Sequence, residues 1–535
     1  MVMGSGPRGS HPIYTPTHYC HLFNILLLPS ISWFWLETTN NTYHTLMRKT
    51  YIYIPLITLF LVCSLQSAAK PRLSIIAVVD GMTTENLNML RPYWQQGGMR
   101  TLSEEAYQTT ITFPHLVYGG NETTATLMTG VTPDRHGYTM DAYYSRRDRK
   151  VYTMLEDKEI PGIGTSLCLS PKALLSPTIS DRMRLLHPKA KIYAIGIQPE
   201  TTILLAGHTA NACCWIDNNS KQWVTTTAYR EGLPGAAYEQ NRKNRITTLA
   251  EQQWTPRIDI HAYNHPTPQE KKKPFAYNVG NILPHAPQAN KLVIELGLDL
   301  QSSEHLGVDN HPDLLFLQLN SLTPKAKTDQ IRSAEQEDMY LHLNQDLGFL
   351  MEQLDRRIGR ENYQLIVVGR PVLGIDLQTL ADIHMPVRQF NVDRAAALIG
   401  TYLMAIYGHE RWVDGGYGQS IFLNRTLIEQ KRLNLETIQR QVANFLMDFE
   451  GVEVAMPAYE ALFYPTLQNS FCKRHMGDIV FTLQSGWQLM KNEKHAIDHV
   501  IDDKPSAPLL FWSGTLRPMP QGQLTATDIA DLLFK

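Results

Sequence analysis

Carboxylates, hydroxyls and imidazoles are the side chains that do hydrolytic or metal chemistry, and several sit at suggestive places along this chain. Leu73–Val79 is a continuous apolar run ending in Asp80. It reads as a buried parallel strand that delivers a carboxylate at its carboxyl end, where ligands gather in α/β sheets. The plainer reading of Asp80 is a carboxylate capping the following helix. Thr123, Thr124 and Thr126 precede Thr129-Gly130. A threonine hydroxyl becomes a nucleophile only beside a base or a metal, and the alternative places these three at the cap and buried faces of a helix. His305, Asp309 and His311 in EHLGVDNH have metal-ligating side chains, but they lie before a strand, at its amino end, so a loop role is expected. His495 and His499, in HAIDHVIDDKP, fit a ligand remnant and a solvated loop equally well. Cys168, Cys213, Cys214 and Cys472 contain no Cys-x-x-Cys, so neither a thiolate zinc site nor a redox motif is expected. Adjacent cysteines rarely bond to each other. The expectation is buried thiols, with at most a Cys168 bridge to one of the pair.

The elements that must position these residues follow an α/β rhythm. Thr83 caps a helix that Gly97-Gly98 is expected to end. SPTISDRMRLLHPKAKIYAIGI reads as helix then strand, and residues 314–319 form another buried strand. A helical period from Ser333 to Arg357 leads into the strand QLIVVG. AAALIGTYLMAIYG and LNLETIQRQVANFLMDF read as helices, and DIVFTLQSGW and PLLFWSG as late strands. The 535 residues are 43% apolar and 19% charged, with a net charge of −2 and 19 dispersed histidines. That balance suits a sizeable core and argues against a nucleic-acid partner or a basic lipid-binding face. From Met47, a basic MRKT, the apolar YIYIPLITLFLVCSLQ and small residues before Lys70 make residues 47–69 a signal peptide. Residues 1–46 then read as an upstream extension from a mis-assigned start. Residues 70–535 are expected to form one α/β domain with insertions, with no transmembrane anchor after cleavage, in the periplasm or cell envelope.

AVVDGM, TLMTGVTPDRHGY, LLSPTISDRMRL, LLAGHTANACCWID, TYLMAIYG, GDIVFTLQSGW and APLLFW occur in that order between about residues 72 and 515. Together they resemble bacterial periplasmic alkaline phosphatases, in the alkaline phosphatase superfamily near the nucleotide pyrophosphatase/phosphodiesterase branch. The resemblance implies a mostly parallel central sheet flanked by helices, with inserted cap segments. It also implies two zinc ions held by Asp and His, which activate a Thr or Ser and clamp the attacking and leaving oxygens. A phosphoryl-enzyme intermediate would follow.

Position by position, the resemblance implies that most of this site is gone. Asp80 matches the first zinc ligand. The family nucleophile lies ten residues before the Gly of the Thr-Gly pair, which here is Gly120; Thr123 and Thr124 are the fallback. Thr112-Phe113-Pro114 mimics the phosphodiesterase nucleophile motif but lies eighteen residues from Gly130. Asp141 stands where an Asn binds the phosphoryl oxygen, and Gln198-Pro199-Glu200 stands for a Lys-Asp-Arg triplet that contacts phosphate. The next Asp and His ligands fall on Thr323 and Lys327, and an Asp-His dipeptide becomes Arg370-Pro371. His499 is the candidate remnant of the last ligand. One carboxylate and one imidazole do not hold two zinc ions, so no cofactor is expected. The expectation is a non-catalytic protein that binds an unidentified ligand or envelope partner, with Lys327 and Arg370 as a possible new anion site. The competing expectation is an active zinc-dependent phosphomonoesterase or phosphodiesterase whose Thr123 or Thr124, Asp80, Asp141 and His499 converge. A sulfatase Cys-x-Pro-x-Arg motif is absent.

Overall fold

All eight residues of β1 (Leu73–Asp80) are buried, and a strand covered on both faces needs partners along both edges and helices above and below. The computed structural model, which describes residues 71–372, 377–492, 495–496, 505–515 and 522–534, supplies them. The sheet strands are β1, β2 (Tyr107–Thr112), β3 (Gly162–Ile163), β4 (Ile192–Gly196), β5 (Ala212–Asp217), β6 (Gln222–Thr226), β7 (Asp313–Asn320), β8 (Tyr363–Arg370) and β9 (Ser506–Ser513). Their order is β2-β9-β8-β1-β7-β4-β5-β6-β3. The central strands β8, β1, β7, β4 and β5 run parallel, and the outer ones are antiparallel. This is the mostly parallel central sheet that the resemblance implies.

The two-residue period of β1 divides its side chains between two cores. Ile75, Ala77 and Val79 pack with Leu292 and Leu296 of the helix Pro287–Ser303 and with Leu343 and Leu347 of Ala334–Arg357. Ile76 and Val78 pack with Ala125 and Met128 of Asn121–Thr129 and with Leu204 of Pro199–Ala206. The same alternation settles the cysteines. Cys213 faces one core and Cys214 the other, and Cys168, Cys213, Cys214 and Cys472 are all free thiols. Buried thiols are found for three of the four, and the Cys168 bridge does not form: Cys168 stays partly exposed with its Sγ toward the Ser166 carbonyl, whereas Cys213 and Cys214 are buried.

A second correction concerns Gly97-Gly98. Thr83 does cap the helix Thr84–Leu90, but that helix tightens to a 3-10 turn at Arg91–Tyr93, where Pro92 removes a donor. Gly97 then caps the next helix, Gly98–Glu105, so the pair starts a helix instead of ending one. A Cβ on Gly98 would lie 2.6 Å from the Gly348 backbone nitrogen, so the glycine permits close helix packing.

Between residues 388 and 492 the chain builds a cap with its own core, including Val392, Leu403, Ile421, Leu446 and Phe481. A four-stranded sheet carries it, with strands Val413–Tyr417, Ser420–Leu423, Val452–Pro457 and Ile479–Leu483. The expected strand DIVFTLQSGW is split by a turn, and Trp487 opens a separate strand, Trp487–Asn492. Buried Asp478 ties the cap to the hairpin 142–153, accepting from Arg146 and Arg425 at 2.6 Å each. No helix among the described residues is long and apolar enough to cross a membrane.

Candidate active site of the fold

Parallel register decides which residues meet at the carboxyl edge of the sheet. Asp80 ends β1 opposite Asn320 of β7 on one side and Arg370 of β8 on the other. Asp80 and Arg370 are 2% and 1% exposed. Arg370 Nε donates to Asp80 Oδ1 at 2.7 Å. The second carboxylate oxygen accepts from Gln318 Nε2 at 2.9 Å. Gln318 Oε1 in turn accepts from the backbone N–H groups of Ile197 and Gln198, at 3.0 and 2.8 Å. Every polar atom of this buried amide is thereby used, as the cost of burying an unpaired one requires.

From Arg370 the network runs to the helix Asn121–Thr129. Its Nη1 donates to Asn121 Oδ1 at 2.8 Å and reaches Thr124 Oγ1 at 3.4 Å. Asn121 Oδ1 also accepts from Thr201, and its Nδ2 donates to Asp141 Oδ1 at 2.8 Å. Tyr138 donates to the same Asp141 oxygen at 2.6 Å. Burial, reinforced by Asp141, holds the Tyr138 hydroxyl well above its ordinary pKa, so it remains a donor. Burial raises the Glu200 carboxyl, and the Asp141 charge adds to that rise. Asp80 and Arg370 cancel one another, whereas the donors to Asp141 are neutral.

Gly120 caps the helix with no side chain and φ +95°. A Cβ built there would lie 2.8 Å from the Pro371 carbonyl oxygen and 3.7 Å from the Arg370 guanidinium carbon. Thr123 and Thr124 are fully buried in the first helical turns; the Thr123 hydroxyl donates back to the Gly120 carbonyl. Gln198 precedes the helix Pro199–Ala206, and its side chain accepts from Thr201 at 3.4 Å. The His208 that follows is paired to Asp181 at 2.7 Å, a hydrogen bond that raises the imidazole above its usual range. Thr323 is buried with its hydroxyl unpartnered, whereas Lys327 is exposed. His499 lies outside the described residues, as does the side chain of His495.

The structure therefore brings together Asp80, Gly120, Thr124, Asp141, Arg370 and Pro371, and shows no contact from Lys327 to them. The expected anion site of Lys327 and Arg370 does not form, because the Arg370 charge is spent on Asp80. Sequence reasoning missed Gln318, Asn121, Thr201 and Tyr138. Gln318 carried a usable signal, as a single amide inside the apolar run DLLFLQLN that had to find partners.

The two zinc ions implied by the resemblance can be tested against these donors. A zinc ligand offers a free lone pair, but Asp80 presents its two oxygens to a guanidinium and an amide N–H. No group of three or more His, Cys, Asp or Glu is placed to hold a metal ion among the described residues. The described residues at this edge do not fit the pair of zinc ions. An aromatic-walled cavity adjoins Asp141, lined by Tyr118, Tyr143, Tyr144, Tyr417, Phe422 and Phe471 among others.

The family model described as type I phosphodiesterase / nucleotide pyrophosphatase matches residues 75–506. The chain is 24% identical over 488 residues to alkaline phosphatase PhoV of Synechococcus elongatus, covering 84% of this chain and 86% of that one. It is 22% identical over 496 residues to alkaline phosphatase PafA of Elizabethkingia meningoseptica, covering 86% and 90%. The crystal structure of wild-type PafA superposes with a TM-score of 0.74 at 21% identity, over 86% of this chain and 94% of that one.

Proposed function

The chain belongs to the type I phosphodiesterase / nucleotide pyrophosphatase family of the alkaline phosphatase superfamily, and from that premise we propose that it is a secreted, non-hydrolytic member that acts by binding. The observation that carries this reading is Gly120. The position that the resemblance assigns to the nucleophile has no hydroxyl, and the Pro371 carbonyl oxygen lies 2.8 Å from where a side chain would start. Phosphoryl transfer through a covalent intermediate needs a positioned oxygen nucleophile, and neither fallback is free to be one. Thr123 is bonded back to Gly120, and Thr124 is buried beneath Arg370.

The charge at the rim supports the same reading. A phosphate dianion requires cations or N–H donors around it, yet Asp141 and Glu200 stand where the resemblance places phosphate contacts. A carboxylate at each position repels a dianion. The ligand of this cleft is therefore neutral or cationic, or is a surface of another envelope protein, bound in the periplasm after cleavage of residues 47–69.

The test is hydrolysis of an aryl phosphate and an aryl phosphodiester by the purified protein, with and without added zinc. The expected rate equals that of Asp80→Ala in every condition. Zinc-dependent turnover that disappears in Asp80→Ala would reject the proposal in favour of a rearranged hydrolase.

A further inference from the structure

Asp80 poses an electrostatic problem that the fold must solve whatever the protein binds. A carboxylate at 2% exposure is stable only when paired and hydrogen-bonded. Where two metal ions fill such an edge, they provide that positive charge. Here the donor set does not fit them, and the charge comes from within the chain.

Arg370 is placed for this by register. β8 ends level with β1, so the last residue of each strand faces the other across the ladder. The guanidinium then makes more than one tie. Its Nε holds Asp80, and its Nη1 holds Asn121 at the start of the helix Asn121–Thr129. Its own backbone carbonyl accepts from Gly81 N–H at 2.8 Å. One side chain thus fastens the ends of two strands and the start of a helix, while Gln318 fixes the remaining carboxylate oxygen from β7. A divalent cation approaching Asp80 would have to displace the guanidinium and leave it buried and unpaired, and breaking a buried pair in this way is strongly unfavourable.

We infer that Arg370 is a tethered cation that replaces bound metal at Asp80, holding the site closed and making the fold independent of divalent ions. The inference shares with the proposed function the premise that Asp80 binds no metal. It is read from stability and metal content, not turnover, so the two can fail separately. An inert protein that binds zinc at Asp80 would overturn this inference alone, and a metal-free protein with turnover would overturn only the other.

The experiment uses the purified full chain. Metal content is measured after gel filtration from zinc-containing buffer, and thermal unfolding is followed in zinc and in EDTA. The expected result is no stoichiometric zinc and a Tm that agrees between the two buffers within about 1 °C. Arg370→Met strands the Asp80 carboxylate, and its Tm is expected to fall by roughly 3–5 °C. The double variant Asp80→Asn/Arg370→Met removes both charges and is expected to recover most of that loss. If Arg370→Met alone does not fold, recovery of folding in the double variant is the supporting result. Three outcomes overturn the inference. One is stoichiometric zinc that is lost in Asp80→Asn. Another is a wild-type Tm raised by zinc and lowered by EDTA. The last is a double variant no more stable than Arg370→Met.

Discussion

Replacing Gly120 with threonine is the direct way to ask whether the missing nucleophile is one substitution away. At an ordinary helix start the change would gain at most about a few tenths of a kcal/mol, because glycine caps nearly as well as threonine. That gain depends on an extended backbone at the cap, and Gly120 has φ +95° and ψ −17°. A β-branched residue in the left-handed region costs about 1–2 kcal/mol. The new Cβ would also lie 2.8 Å from the Pro371 carbonyl oxygen, a backbone atom that no rotamer change can move away. Relieving such a contact in a close-packed site costs a further 1–3 kcal/mol, roughly. The penalties exceed the cap, so Gly120→Thr is expected to destabilise the protein by roughly 2–5 kcal/mol. Gly120→Ala should fall in the same range, because the strain begins at Cβ. Urea unfolding measures the loss, and an aryl phosphate assay with added zinc checks that no turnover appears. A Gly120→Thr protein as stable as wild type that hydrolyses phosphate esters would refute both the register and the claim of a closed site.

Three more expectations concern the scaffold. His115 and His136 are buried on either side of Thr126, which bonds to both rings at 2.9 and 3.1 Å. Burial lowers His115 from 6.5 to about 4 and His136 well below its usual range. The unfolded chain therefore takes up protons that the native state refuses, so stability is full above pH 6.5 and falls as pH drops toward 4. At 1.36 kcal/mol per pH unit, the His115 share alone is about 3 kcal/mol by pH 4. Urea unfolding between pH 7.5 and 4.5 measures the slope, and His115→Gln should flatten part of it. Asp478→Ala removes the carboxylate that joins hairpin to cap and strands the buried Leu423 N–H that donates to it, and should cost about 1–3 kcal/mol by thermal unfolding, since Arg146 and Arg425 are partly exposed and can rehydrate. Dithiothreitol should not change Tm, because the four cysteines of the described region are free.

The sheet was legible in the sequence because its signals are local. Leu73–Val79, residues 314–319 and QLIVVG are apolar runs too short for helices, and they became three adjacent parallel strands. The helical period from Ser333 to Arg357 was legible for the same reason, and the structure adds that Ser333 caps that helix, its side chain accepting from Gln336 N–H. Gly97-Gly98 was misread because a glycine pair serves a helix start or end equally well, and only its contact with Gly348 distinguishes them. The Cys168 bridge failed for a related reason. Only the fold shows Cys168 partly exposed while Cys213 and Cys214 are buried in the cores on either face of β5.

The candidate site was legible as a set of substitutions but not as a structure, and the difference lies in Arg370. Counted along the chain, it is a cation where a zinc ligand should be, which suggests a vacant anion hole. Its meaning depends on Asp80, 290 residues away in sequence and 2.7 Å away in space. A charge that reads as a remnant ligand and one that reads as its replacement are one neutral pair, held from the sides by Gln318 and Asn121. A decaying site would be expected to leave buried polar atoms unsatisfied, each costing about 1–3 kcal/mol. At this edge the Thr323 hydroxyl and the Nδ1 of His285, which feels the Asp80 charge, are unpartnered, whereas each Asp80 oxygen accepts a hydrogen bond. Erosion alone does not supply a buried carboxylate with a guanidinium on one oxygen and an amide on the other. The bonding around Asp80 is that of a site rebuilt to hold its strand ends together, and Gly120 under Pro371 is part of the same closure.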